Sequence, residues 1–154
     1  HHAPYLTDTA PTASKCSGLY MIGTLARHAA NDEGFDDALL LDVDGNVAET
    51  TATNIILVEG RKLVSPVADC FLDSITKRHV FALAQKAGLE LEERKVSLEE
   101  LCAADEVFVV GTSIEIQPVV ELKGPAIGAQ WSVGPLTQSL IDNFQNSVRQ
   151  QCPA

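Results

Sequence analysis

Two ionisable residues, Lys15 and Glu49, stand among unusually small neighbours and could take part in chemistry. Lys15 lies in the segment ASKCSG, residues 13–18, where no large side chain crowds the ammonium group. A lysine in a desolvated pocket can lose its proton and form a Schiff base, although an isolated lysine is more often solvated. Glu49 precedes a run of small residues, 50–54, that leaves room for a ligand, although a solvated carboxylate is the commoner role.

Two further segments offer backbone and hydroxyl groups that an anion could use. Ser74, Ile75 and Thr76 begin a predicted helix, whose first N–H groups and positive dipole end attract anions. Thr112 and Ser113 come directly after a predicted buried strand. Each segment also has a simpler interpretation, because a helix cap explains the first and a turn explains the second.

Tyr20 follows Lys15 by five residues, which in a regular helix places the two side chains about 140° apart. The two residues then need not share a face, unless Lys15 precedes the helix proper. Tyr20 is equally consistent with a core aromatic residue whose hydroxyl finds a hydrogen-bond partner.

Composition narrows the class of protein. The 154 residues include 11 Lys and Arg against 21 Asp and Glu, for a formal net charge of -10, so nucleic acid is not expected as a partner. No apolar run approaches the length of about 18 residues that a membrane span needs, so no membrane association is expected. The four cysteines form no C-x-x-C pair, which predicts no metal site and fits reduced thiols in the cytoplasm.

The elements that must position these residues follow from hydrophobic periodicity, which indicates one mixed α/β domain over residues 1–154. Leu19, Ile22 and Leu25 recur at helical spacing and predict an apolar face on a helix that ends near Gly34.

A second predicted helix occupies the segment DSITKRHVFALAQKAG, residues 73–88. Ser74 is among its N-terminal residues, Gly88 ends it, and Ile75 is expected on its apolar face. The predicted hairpins indicate a largely antiparallel sheet. A capping box and a closing helix add further helices, so the sheet is expected to be flanked by helices. The remaining predicted segments are turns at 44–46 and 59–60, a capped helix from 97, a buried strand over 106–113, one strand over 115–124 with an edge or bulge at Pro118, and a helix over 134–150.

The chain resembles a known family through an ordered series of segments that covers nearly its whole length. The series is TASKCSGLY, DGNVAETTATNIILV, LVSP, FLDSITKRHV, ADEVFVVGTSIEIQPV and GPLT. It resembles the large C-terminal domain of the fold-type IV pyridoxal-phosphate aminotransferases, with the branched-chain amino acid aminotransferases as the nearest subgroup. The resemblance implies that family's fold, a mixed and largely antiparallel pseudo-barrel with flanking helices.

The resemblance also implies a role for each candidate residue. Lys15 matches the lysine that forms the Schiff base with pyridoxal 5'-phosphate and moves a proton between substrate and cofactor. Tyr20 matches the tyrosine that hydrogen-bonds the phenolic oxygen of the cofactor, and Glu49 matches the carboxylate that keeps the pyridine nitrogen protonated. The other residues match the phosphate site, formed by Ser74, Ile75, Thr76 and Thr112, and the substrate site, formed by Thr112 and Ser113.

The chain departs from the family pattern at Ser74 and Lys77, where glycine and arginine are usual. Ser74 would be strained if this position requires a positive φ, and it would serve equally well if only its N–H is needed. Lys77 keeps a positive charge but loses the bidentate fork of arginine.

The implied function is transamination between a branched-chain L-amino acid and 2-oxoglutarate through the lysine Schiff base. Three alternatives stay open: a lyase of the aminodeoxychorismate type, a D-amino acid aminotransferase, and a non-catalytic remnant module. The combination of Lys15, Tyr20 and Glu49 speaks against the last. The family's N-terminal small domain is absent from this chain, so weak or no activity is expected of the isolated domain. The family further implies a homodimer.

Overall fold

The computed structural model describes Thr12, residues 14–125 and residues 127–151, and it confirms a mixed α/β fold. No helix in these described ranges is both long and apolar enough to span a membrane. The four α-helices are α1 (Tyr20–Asp32), α2 (Ile75–Lys86), α3 (Leu98–Ala103) and α4 (Pro135–Gln151), with a short 3-10 helix (Ser17–Leu19) before α1. The strands are β1 (Leu39–Leu41), β2 (Val47–Thr50), β3 (Asn54–Glu59), β4 (Lys62–Pro66), β5 (Glu90–Arg94), β6 (Glu106–Gly111), β7 (Glu115–Pro118), β8 (Glu121–Lys123) and β9 (Gly128–Gln130).

A five-stranded sheet in the order β5-β4-β3-β6-β7 forms the centre of the fold. Its pairs are antiparallel except β4 with β5, which run parallel because α2 crosses over between them. Two small antiparallel sheets, β1-β2 and β8-β9, lie beside it. The prediction of a largely antiparallel sheet flanked by helices is therefore confirmed.

The central sheet is buried on both faces, which explains why β3 and β6 are almost uninterrupted apolar runs. Successive side chains of a strand point to opposite faces. Ile56 and Val58 of β3 accordingly pack in one core cluster with α2 and α4. Ile55 and Leu57 pack in a second cluster with β2 and α3. Two layers of core thus fix the position of β3, the strand that follows Glu49.

Helix α1 forms where it was predicted, but its large apolar side chains are not the packing face. Ile22 is 41% exposed and Leu25 is 68% exposed, whereas Gly23 and Ala26 are buried. A Cβ atom at Gly23 would lie 2.9 Å from the backbone oxygen of Thr51. The small residues allow a close approach to the β2–β3 turn, and this contact outweighs the burial of the larger side chains.

Ser74 is the N-terminal cap of helix α2. Its side chain accepts hydrogen bonds from the N–H groups of Thr76 and Lys77. The expectation that Ile75 lies on the apolar face was wrong, because this side chain is 76% exposed. Ile75 is the first residue of the helix and points away from the core, whereas Thr76 and Lys77 of the same turn are buried. Gly88, with a φ of 73°, follows the helix as predicted.

The segment 115–124 is not one strand. β7 ends at Pro118 on the edge of the central sheet, which agrees with the edge position expected for this proline. The chain then leaves the sheet, and β8 pairs with β9 in a separate hairpin that the sequence pattern did not predict. One hydrogen bond to the central sheet follows this proline, from the N–H of Val119 to the carbonyl oxygen of Val107 (2.8 Å).

A buried carboxylate, that of Glu106, caps the N-terminus of α4. Its two oxygens accept hydrogen bonds from the N–H groups of Leu136 (3.1 Å) and Thr137 (2.7 Å). A Cβ atom at Gly134 would lie 1.9 Å from the carboxyl carbon of Glu106, so only glycine allows this approach. The motif GPLT therefore serves the packing of α4, and the positive end of this helix is already neutralised.

The β1–β2 hairpin is attached to the end of β5 through Asp42. Its carboxylate is 5% exposed and accepts hydrogen bonds from Nζ of Lys95 (2.8 Å) and from the backbone N–H of Asn46 (2.8 Å). Burial alone would raise the pKa of Asp42, but these hydrogen bonds outweigh it and lower the pKa from 3.8 to about 2. This hairpin carries Glu49, so the attachment also fixes one side of the candidate site.

We expect Asp42→Asn to lower the free energy of unfolding at pH 7 by about 2 kcal/mol, which is the free energy that corresponds to the lowered pKa. The folded-state pKa is depressed, so this stabilisation is complete above the ordinary value of 3.8 and is lost as the pH falls through 2. Urea denaturation at pH 7 and at pH 2 measures both effects. Asp44→Asn, an exposed change in the same turn, is the matched control; an equal effect of the two variants would contradict the prediction.

Candidate active site

A cavity of about 800 Å³ opens where four separate segments meet: the residues before α1, the β2–β3 turn, the start of α2 and the β6–β7 turn. The candidate residues are distant in sequence, yet all of them except Thr76 line this cavity. The lining candidates are Lys15, Tyr20, Glu49, Ser74, Ile75, Thr112 and Ser113.

Lys15 and Tyr20 share the cavity because Lys15 precedes the regular helix. The chain between them forms the 3-10 helix Ser17–Leu19, and α1 begins only at Tyr20. The separation of about 140° that a regular helix would impose therefore does not apply. Both side chains are exposed in the structure, so both are available to a ligand in the cavity.

Glu49 lies on β2, opposite Leu40 of β1, and the residue is half-buried. Burial raises the pKa of Glu49 to about 8; a hydrogen bond from Asn54 opposes the rise and the nearby carboxylate of Asp37 adds to it. Among the described residues, no lysine, arginine or histidine forms an ion pair with Glu49. A ligand that brings a positive charge or a proton to this carboxyl group would therefore be stabilised.

The start of α2 offers fewer free donors than its sequence suggests. The N–H of Ser74 donates to Oδ1 of Asn54 (3.1 Å), and the N–H of Thr76 donates to Oγ of Ser74 (3.1 Å). Thr76 is 8% exposed and does not line the cavity. Within the described part of the chain, only the N–H of Ile75 among these three has no acceptor. An anion at this terminus would therefore meet the Ile75 N–H and the Ser74 hydroxyl.

The departure from glycine at Ser74 causes no backbone strain. Its φ is -71°, which is ordinary extended geometry for any residue. The departure at Lys77 is accommodated by burial in an ion pair. Lys77 is 1% exposed, and its Nζ lies 2.7 Å from Oδ1 of Asp73 and 3.2 Å from Oε1 of Glu93. Its charge is thus balanced within the protein.

The β6–β7 turn brings Thr112 and Ser113 to the same cavity, where both are exposed. A Cβ atom at Gly111 would lie 2.9 Å from Cγ2 of Thr53, so glycine lets the end of β6 approach the β2–β3 turn. Glu115 closes the turn with a φ of 57°, the only positive φ of a non-glycine residue in the described ranges.

Sequence reasoning missed several cavity residues, of which Asn54 is the most connected. The sequence predicts Asn54 only as the first residue of a strand, and its only signal was a polar side chain at the head of an apolar run. Cys70 and Leu72 also line the cavity, from a segment that had no predicted role. Burial and the neighbouring Asp69 raise the pKa of Cys70 to about 11, which keeps it a neutral thiol.

Fold and cavity agree with one class of protein, the pyridoxal-phosphate enzymes of fold-type IV. A family model described as amino-transferase class IV matches residues 9–122. The chain belongs to the class IV aminotransferase family, and its relatives place it on the branched-chain side of that family.

Several named proteins are similar to this chain in sequence or in structure. A probable branched-chain-amino-acid aminotransferase of Aquifex aeolicus is 37% identical over 144 residues, which are 92% of this chain and 46% of the relative. The branched-chain aminotransferase of Thermoproteus uzoniensis, solved with norvaline, superposes with a TM-score of 0.86 at 33% identity, over 93% of this chain and 48% of that one. The branched-chain amino acid aminotransferase of Thermobaculum terrenum, solved in its PLP-form, gives a TM-score of 0.85 at 30% identity, over 98% and 50%. The chain thus spans about half the length of these relatives.

Proposed function

We propose that the protein of which this chain is a part transfers the amino group of a branched-chain L-amino acid to 2-oxoglutarate, with pyridoxal 5'-phosphate as the cofactor. The observation that carries the proposal is the meeting of Lys15, Tyr20 and Glu49 in one cavity. The family's branched-chain aminotransferase relatives, one of them solved in its PLP-form, support both the reaction and the cofactor.

The residues of the cavity fit this cofactor. The half-buried carboxyl group of Glu49 lacks a cationic partner among the described residues, and a protonated pyridine nitrogen would supply one. At a different wall of the same cavity, the Ile75 N–H and the Ser74 hydroxyl stand at the positive end of α2, where a phosphate group is favoured. The cavity thus offers a carboxyl group for the pyridine nitrogen and hydrogen-bond donors for the phosphate, which are the two ends of pyridoxal 5'-phosphate.

Each residue then has a definite task. Nζ of Lys15 would hold the cofactor through its Schiff base, and the Tyr20 hydroxyl would donate to the phenolic oxygen. Thr112 would add a hydroxyl to the phosphate site, and with Ser113 it would contact the substrate carboxylate. Thr76 was predicted to bind phosphate as well, but its N–H already donates to Ser74. Its hydroxyl stays the group of Thr76 that is predicted to bind the phosphate.

The bound cofactor supplies an electron sink for the pair of electrons left when the substrate loses its α-proton. Once the substrate amine has displaced it, Nζ of Lys15 would take that proton and deliver it to the cofactor carbon that keeps the amino group. Glu49 would stabilise the positive charge of the ring nitrogen. The small residues that follow Glu49 leave its carboxyl group accessible from the cavity.

The assignment of this chain as the family's large C-terminal domain is part of the proposal. A partner small domain would complete the phosphate site and the side-chain pocket, and a homodimer would be the working assembly. The half-length coverage of the relatives supports this view of the chain as one of two domains.

Incubation of the full-length protein with leucine, 2-oxoglutarate and pyridoxal 5'-phosphate should yield glutamate. The same protein with aminodeoxychorismate should yield no pyruvate, and D-leucine should not replace L-leucine. Pyruvate formation would assign the lyase alternative instead, and turnover of D-amino acids alone would assign the D-amino acid enzyme. Absence of both turnover and cofactor absorbance would indicate a non-catalytic module.

A further inference from the structure

The side chain of Asn54 joins two walls of the cavity. It is 2% exposed and stands at the first position of β3, directly after the turn that follows Glu49. Its Nδ2 donates to Oε2 of Glu49 (3.3 Å) and to the carbonyl oxygen of Leu72 (3.1 Å). Its Oδ1 accepts from the N–H of Ser74 (3.1 Å). Three of the four hydrogen bonds that an asparagine can make are therefore formed.

The orientation of this amide is determined by its partners. The carbonyl of Leu72 can only accept and the N–H of Ser74 can only donate, so Nδ2 must face Leu72 and Glu49 while Oδ1 faces Ser74. An aspartate of the same size cannot make this set, because it has no donor and would place a second negative charge beside Glu49. The site thus requires a residue with both a donor and an acceptor.

The two backbone groups that Asn54 holds flank Asp73 at the entry to α2. This is the helix start that carries the Ser74 hydroxyl and the free Ile75 N–H. Because Asn54 is also bonded to Glu49, a shift of the helix start and a shift of the carboxyl group are coupled through one rigid side chain. The strand that carries Asn54 is fixed in turn by core on both of its faces.

We propose that Asn54 is a positioning residue that ties Glu49 to the N-terminus of α2, and so sets the distance between the sites for the two ends of the cofactor. The inference rests on the proposed function for the identity of the cofactor. The link between Glu49 and the helix start rests only on the hydrogen bonds of Asn54.

Asn54 also tunes the charge of Glu49, since its Nδ2 is the hydrogen-bond donor that favours the ionised carboxylate. Without that donor, burial and Asp37 act on Glu49 unopposed, and the pKa of Glu49 should rise further. Asp37, before β1, is the titratable group that acts on Glu49 electrostatically. The other titratable residues that line the same cavity are Lys15, Cys16, Tyr20, Cys70 and Asp73.

The test compares Asn54→Asp and Asn54→Ser with Asn143→Asp, the same chemical change on the exposed side of α4, all in the full-length protein. Titration with pyridoxal 5'-phosphate should show affinity lowered by about 10- to 100-fold for both Asn54 variants, as expected for one or two lost buried hydrogen bonds. The Asn143 variant should match the wild type. A carboxyl NMR titration of the cofactor-free proteins should show a higher pKa for Glu49 in Asn54→Ser than in the wild type, a change that a merely structural role would not produce.

Different failures have different meanings. If the wild type binds cofactor and both Asn54 variants bind it equally well with an unchanged Glu49 pKa, the positioning role is overturned and the proposed function stands. If the wild type binds no cofactor, the proposed function fails, and the Glu49 titration alone still decides whether Asn54 acts on that residue. If neither variant folds, the Asn54 side-chain amide and the Ser74 backbone amide of the wild type should shift together in NMR spectra when cofactor is added; unshifted resonances would overturn the proposal.

Discussion

Lys15→Ala should abolish the Schiff-base absorbance band of the cofactor-bound full-length protein and lower kcat by at least about 10³-fold. The physical reason is that no second lysine is among the described residues that line the cavity, so no amine replaces Nζ as the covalent attachment or as the base that moves the substrate proton. Lys15 is exposed in the cavity, so its loss leaves no buried unpaired group and the fold should be unaffected. Absorbance spectra, thermal melting and an assay of glutamate formation measure the three effects.

Two companion variants separate chemistry from charge. Lys15→Arg keeps the positive charge but cannot form a Schiff base, so it should be as inactive as Lys15→Ala. Lys123→Ala removes an exposed lysine on β8, away from the cavity, and should behave as the wild type. A persistent absorbance band in Lys15→Ala would show that the covalent attachment has been assigned to the wrong residue.

Glu49→Gln should leave cofactor binding largely intact but lower kcat by about 10²- to 10³-fold, the usual effect of removing a buried electrostatic partner from an active site. Glutamine keeps the size of the side chain but cannot hold the positive charge of the ring nitrogen. Glu121→Gln, an exposed change on β8, is the matched control. Near-normal turnover of Glu49→Gln would rule out the counter-charge role.

Glu49→Gln, which should lower kcat, should raise the stability of the cofactor-free protein at high pH. Burial raises the pKa of Glu49 from 4.5 to about 8, so between these values the folded state holds a proton that the unfolded state releases. The free energy of unfolding of the wild type therefore loses this contribution as the pH rises from 4.5 to 8, whereas Glu49→Gln has no such loss. At pH 9 the variant should be the more stable protein in urea denaturation, and a lower stability would contradict the assigned burial.

Most of the fold was predictable because local signals were strong. The capping box of Ser97 and Glu100 and the turn at Gly45 are short-range patterns with a direct backbone cause, and both formed as predicted. The apolar run over 106–113 predicted a buried strand, and every residue of β6 is buried. The β8–β9 hairpin was missed because its strands have three residues each, too few for a pattern to separate β8 from the strand predicted over 115–124 or to reveal β9.

Packing partners were less predictable, because periodicity shows that residues share a face but not what covers that face. Ile22 and Leu25 had the spacing of a core stripe, yet α1 contacts the rest of the domain through Gly23 and Ala26. Ile75 likewise fitted an apolar face and instead stands at the cavity.

The sequence by itself determined the family, the fold class and the residue types that carry the proposed chemistry, since those depend on the order of motifs along one chain. Only the tertiary structure decided how they meet. It showed that the 3-10 helix allows Lys15 and Tyr20 to share one cavity, that the N–H groups of Ser74 and Thr76 are already bonded, and that Asn54 links Glu49 to α2. The reason is that none of these features follows from hydrophobic periodicity: each depends on the local backbone geometry or on packing, which for Asn54 brings Leu72 and Ser74 within hydrogen-bond distance.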